Sequence, residues 1–261
     1  MVSPGVRQCI IRPHNCAGVF SLVNKVMTCM ELYPRIRVSF PPKETLFRSS
    51  TADVWSVMFE PFEDPFHDDE ASDTIINYPH PAYTNRTAAD TYCRKDGWRF
   101  RLHNQFSKLR VQKDVLELAD TILSGRIEQC VGVLYRGEKE LATEQRTGVI
   151  SSPEAMCERI NRASREAPVF VCADSNEANE RFKAILGNRM FFWEQGDRCE
   201  KIGQTVHRGR GYGDEHLKKT LAMVLALSRT RHFVHAVSNM ATAVLYINPW
   251  LQNSFVETSA P

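Results

Sequence analysis

The chain has 261 residues, 43% hydrophobic and 25% charged, enough to bury one large core or two modest ones. Its formal net charge of +2, with Lys and Arg dispersed among acids, excludes an extended basic surface for nucleic acid. The eight cysteines form no C-x-x-C pair, which fits free thiols in a reducing, cytoplasmic setting, and the longest apolar run, near Leu221 to Leu227, falls far short of the roughly 20 residues that span a bilayer.

In chain order, residues 1–106 read as an irregular first lobe. Ile10-Ile11 suggests a strand, Asn15-Cys-Ala-Gly18 a turn, and Ser21 to Leu32 a helix; Ile36-Arg-Val-Ser-Phe40 alternates as a strand should. Residues 60–73, rich in Pro and Phe, read as a long loop of the kind that is functional when it occurs inside a compact domain. Val111, Val115, Leu118 and Ile122 recur at helical spacing and Gly125 is placed as a cap, so residues 107–124 are predicted as an amphipathic helix, within a bridging segment 107–126.

The second lobe, residues 127–250, alternates strictly, and residues 251–261 are left as a tail. Strands are predicted at 130–135, 168–173, 189–193 and 232–237, and helices at 152–165, 177–186, 214–229 and 239–246. Ser151-Ser-Pro-Glu154 supplies a helix start and Gly187 a stop. Such alternation predicts a parallel sheet with helices on both faces.

Three polar sites fall where predicted strands end: Arg136-Gly137, Asp174-Ser175 and Ser238-Asn239, the last opening a helix that contains Thr242. In an open parallel sheet ligands bind outside the carboxyl ends of the strands, and a cation, a carboxylate and a helix start together suit a nucleotide. A surface Arg and an ordinary Ser cap are the plainer readings of Arg136 and Ser238. His207-Arg208-Gly-Arg-Gly-Tyr212-Gly213 before Asp214 is a glycine-rich basic loop suited to a diphosphate, with a solvated loop as its alternative.

Val131 to Gly137, Ala173-Asp-Ser175, the basic loop, and Leu227-Ser228 to Ser238-Asn239 with Tyr246-Ile-Asn-Pro249 resemble the fucosyltransferase-like glycosyltransferases. That group holds rhizobial chitin-oligosaccharide and animal core α1,6-fucosyltransferases with smaller bacterial and viral relatives. Asn15 to Ser21, including Gly18, Val19 and Phe20, looks like their donor-cleft loop. The resemblance implies an α/β fold of GT-B type: two Rossmann-like lobes with parallel sheets and a nucleotide-sugar cleft between them. It implies inverting transfer to an oligosaccharide or glycan acceptor with no metal and no other cofactor. By the same match Arg136 is the diphosphate-binding arginine, Asp174 lies near the nucleoside, and Ser238, Asn239 and Thr242 lie near the diphosphate.

Two departures stand out. Leu134 replaces the histidine of the group's His-x-Arg strand, and Met223 stands where the group carries an Asp that pairs with guanine. No Asp or Glu occurs between Glu215 and Glu257, so a UDP-sugar such as UDP-xylose becomes the expected donor, with GDP-fucose as the alternative. An inverting transfer needs a general base on the acceptor side. Asp73 is the expected base, assisted by Arg208 and Arg136 on the leaving group, while Asp69, Glu70, Tyr78 and His80 are expected to meet the acceptor. Trp55 could stack on a sugar, with core packing as the alternative. The rivals are a GT-A transferase with a metal on Asp68-Asp-Glu70, and a non-catalytic protein that binds nucleotide or glycan.

Overall fold

The computed structural model describes residues 8–13, 18–62, 73–75, 97–123, 129–137, 151–204, 213–236 and 238–256. In the first lobe, strand β1 (Gln8–Ile11) is the centre of a three-stranded parallel sheet, flanked by β2 (Arg35–Val38) and β3 (Asp73–Ile75). Helix α1 (Val19–Leu32) connects β1 to β2, and every residue from Val19 to Cys29 except Ser21 is buried, which gives it buried positions on every side. A helix buried all round belongs inside a core, and α1 packs on β1 and β2 and on two further helices, with its buried Lys25 donating to Arg12 O at 3.0 Å.

The helix expected over 107–124 is present but starts later, as α3 (Lys113–Leu123), and a separate helix, α2 (Trp98–Phe106), precedes it. Val111 continues the helical spacing of Val115, yet it forms a bridge to Phe59, and the backbone of 110 and 112 bonds to Glu60 N and Met58 O at 2.8 and 2.9 Å. Those bonds to the first lobe hold the chain extended and delay the helix to Lys113. From there α3 buries Val115, Ala119 and Ile122 and packs against the second lobe, with Asp114–Lys218 and Asp120–Arg229 ion pairs at its rim. The exposed pairs add little; the apolar seam holds the contact.

The second lobe contains β4 (Val131–Tyr135), α4 (Pro153–Ala163), β5 (Val169–Ala173), α5 (Asn176–Leu186), β6 (Met190–Phe191), α6 (Asp214–Ser228), β7 (His232–His235), α7 (Asn239–Ile247) and β8 (Gln252–Phe255). All its strand pairs are parallel, in the order β6-β5-β4-β7-β8. Residues 252–255, expected in a tail, are thus the last strand: their polar Gln-Asn-Ser-Phe lacks an apolar pattern, but their backbone pairs with β7 while Leu251 and Val256 anchor both ends in the core.

Alternate residues of the strands serve two cores. Val131, Val133, Tyr135, Val169, Val171 and Val234 pack under α4 and α5. Leu134, Phe170, Cys172 and Phe233 join α6 and α7, and this core continues without a break through α1 into Cys9, Ile11, Ile36 and Val38 of the first sheet. Among the described residues no helix is long and apolar enough to cross a membrane.

Close approach of β4 to the end of α6 requires Gly132. A Cβ there would lie 2.7 Å from Thr230 Oγ1 and 2.8 Å from its Cγ2, and the Thr230 hydroxyl is fixed by donating to Leu227 O at 2.8 Å. Gly132→Ala is expected to lower stability by about 1–3 kcal/mol in denaturant unfolding. Thr230→Ala added to it should recover part of that loss, and strict additivity of the pair would refute the clash.

Candidate functional site

Strand order reverses at β4: the chain proceeds from β4 to β5 and β6 on one side and to β7 and β8 on the other. Outside the carboxyl ends of such strands the connections diverge and leave a crevice, the usual ligand site of open α/β sheets. A solvent-open cleft lies there, lined by Leu134, Tyr135 and Arg136 at the end of β4, Cys172, Ala173 and Asp174 at the end of β5, and Asp197, His216, Thr220, Met223 and Met240 around them.

Arg136 is brought to this crevice by the buried strand before it. Its side chain is 15% exposed, with Nε 3.6 Å from Asp174 Oδ2 and Nη1 3.3 Å from Met240 Sδ. Asp174 also accepts the Gly137 N–H at 2.7 Å, and its carbonyl oxygen accepts Cys199 N at 2.9 Å. The carboxylate therefore aims the guanidinium and fixes the turn after β4. Gly137 permits that turn, because a Cβ there would lie 2.9 Å from the Tyr135 ring and 3.2 Å from Ile202. Asp174 and the ring's burial both push the Tyr135 phenol up, burial being the larger cause.

Several other expected donor contacts turn out to be inside the protein. Ser175 is fully buried and its hydroxyl caps α5 by accepting Ala178 N at 3.3 Å. Ser238 is 3% exposed and caps α7 through Ala241 N, while the fully buried Thr242 donates to Ser238 O at 3.1 Å. The residue types that hold anions at helix starts are the same ones that cap helices, and here capping uses the hydroxyls. Val19 and Phe20 pack their side chains in the core, so only their backbone N–H groups, at the uncapped start of α1, remain for a ligand. Gly18 has open space around its Cα, and Asn239, half-buried, accepts Asn24 Nδ2 at 3.1 Å, which seats α1 of the first lobe against the amino end of α7.

Gly213 precedes α6 with its Cα side facing Arg48 O, and the next residue, Asp214, accepts the hydroxyls of Ser49 and Ser50, so the first lobe grips the exit of the basic loop. Asp73 is the first residue of β3, opposite Cys9 of β1, where a loop residue was expected. Trp55 is 4% exposed and stacks on Phe59 and Phe62 at centroid distances of 4.3 and 6.1 Å, so it packs the core. Asn15, Asp69, Glu70, Tyr78, His80, His207, Arg208 and Tyr212 lie outside the described residues.

Sequence reading missed Asp197 and His216. His216 Nδ1–H donates to Asp197 Oδ2 at 2.7 Å, and Thr220 bonds the His216 backbone at 2.7 Å one turn on. This bond, the largest cause, holds the Asp197 carboxyl below its usual range, and the carboxylate is 39% exposed, toward the cleft. Arg198 fixes the loop that presents it, donating to Trp193 O and Glu194 O at 2.9 and 2.7 Å and lying over the Phe192 ring. Nothing in local sequence marks an Asp in a loop after a two-residue strand as a lining group.

Two parallel-sheet α/β lobes, one of them with a crevice at its strand-order reversal, define the GT-B architecture. The structure of NodZ α-1,6-fucosyltransferase soaked with GDP-fucose shares this fold with a TM-score of 0.54, at 14% identity over 92% of each chain. NodZ from Bradyrhizobium and NodZ co-crystallized with GDP superpose equally well, TM-score 0.54 and 14% identity over 91% of each chain. The fucosyltransferase-like resemblance read from the sequence is thus borne out in the fold. No protein-family model and no curated protein matches the chain.

Proposed function

We propose that this protein is a glycosyltransferase that moves a sugar from a nucleoside diphosphate sugar to a glycan hydroxyl with inversion and without a metal. The observation that carries the reading is Arg136: a mostly buried guanidinium, aimed by Asp174, at the strand-order reversal and beside the amino end of α7. A guanidinium next to helix N–H groups stabilises the negative charge that grows on a departing diphosphate. Arg208, from the basic loop, adds a second cation in this reading. Asp73 keeps the role of general base in this reading.

The donor in this proposal is a GDP-sugar, with fucose its sugar. The case for UDP rested on a missing carboxylate, and Asp197 returns one to the cleft from a different element. The solved structures of like fold that hold GDP or GDP-fucose support the same choice. The test is release of GDP from GDP-fucose, and of UDP from UDP-xylose, in EDTA with and without chitin oligosaccharide. Turnover of the GDP-sugar alone is expected; turnover of UDP-xylose alone would restore the pentose reading, and neither, with binding retained, would leave a nucleotide-binding protein.

A further inference from the structure

We infer that Asp197, held by His216, reads the base of the nucleotide and selects a purine with adjacent ring N–H and exocyclic amino donors. The inference rests on the donor-site reading above and adds to it the residue that sets base identity. Four observations bear on it. The carboxylate reaches the same cleft as Arg136 but from the loop before α6, so the lining has one cationic and one anionic group on separate elements. Leu134, Cys172, Met223 and Met240 supply apolar walls between those elements, suited to a flat ring. Asp197 is fixed: His216 occupies Oδ2, and the Arg198 bonds to Trp193 O and Glu194 O close its loop. His216 is itself buried, 9% exposed, and cannot swing to replace it.

A carboxylate accepts hydrogen bonds and donates none, and each oxygen has two lone pairs, so Oδ2 can take a second donor while Oδ1 takes another. Guanine presents N1–H and N2–H side by side and satisfies both oxygens at once. Uracil offers N3–H between two carbonyl oxygens, so a paired carboxylate would face an acceptor. Adenine and cytosine place a ring-nitrogen acceptor beside the amino group, with the same conflict. Hypoxanthine retains N1–H and lacks the amino group, which makes it a one-bond probe of the same edge.

The experiment is calorimetric binding of GDP, IDP and UDP to the full chain and to Asp197→Asn. The Asn oxygen can still accept from His216, which leaves an –NH2 facing the donors of guanine. In the wild type GDP should bind about tenfold or more tightly than IDP, and IDP more tightly than UDP. The substitution should weaken GDP by roughly 10- to 100-fold and leave GDP and IDP equal. GDP and IDP binding equally to the wild type would overturn the assignment while the donor site stands, and that comparison holds even if the variant does not fold. Binding by none of the three would overturn the donor site and the assignment together.

Discussion

Arg136→Ala is expected to lower kcat/KM for the GDP-sugar by roughly 10²–10³-fold, the span seen when one preorganised charge-stabilising donor is removed. The guanidinium is 15% exposed and aimed by Asp174, so its orientation is set before the substrate arrives. Because charge on the diphosphate grows as the glycosidic bond breaks, the loss should appear mainly in kcat. Arg136→Lys keeps the charge without the two-pronged fork and should restore only part of the rate. Removing the side chain also leaves Asp174, 7% exposed, without its cation, so the unliganded variant should melt lower. A lower melting temperature with unchanged turnover would reduce Arg136 to a counter-ion for Asp174.

Acidification from pH 6.5 to 4 is expected to cost about 3 kcal/mol of stability through His235 alone. The ring is fully buried, stacked on Phe233 at 4.7 Å, with Nδ1 3.1 Å from Ala236 O and Nε2 3.2 Å from the Asn253 amide. Burial, the largest cause, pushes its pKa down to about 4. In the unfolded chain the ring charges near 6.5, so between the two values the unfolded state holds a proton that the folded state refuses. Stability is therefore fully present above about pH 6.5 and falls as pH drops toward 4. His232, also pushed down by burial, acts in the same sense. Denaturant melts at stepped pH on the wild type and His235→Gln would show it; an equal slope for both proteins would remove His235 as its source.

The second lobe was readable because its strands β4 and β5 are continuous apolar runs between capped helices, as strands buried on both faces must be. Ser152, Ser175 and Gly187 mark the helix ends with side-chain caps or a positive φ of 58°. β8 carries no such signal, and the bridge at Val111 is a long-range pairing that no local period announces. Of the site, Arg136 and Asp174 were legible from their places at strand ends. The burial of Ser175, Ser238 and Thr242 was not legible, because exposure is a tertiary property. Asp197 reaches the cleft through the course of a loop, and composition says nothing of that course.

The apolar core that runs from the first sheet through α1 to α6 and α7 makes the lobe boundary one of topology and not of stability. Neither half could be excised or grafted onto a foreign partner without baring Val23, Val26 and Met27 on one piece and Ala241 and Val244 on the other. Each half must therefore keep its face toward the other when its sequence changes.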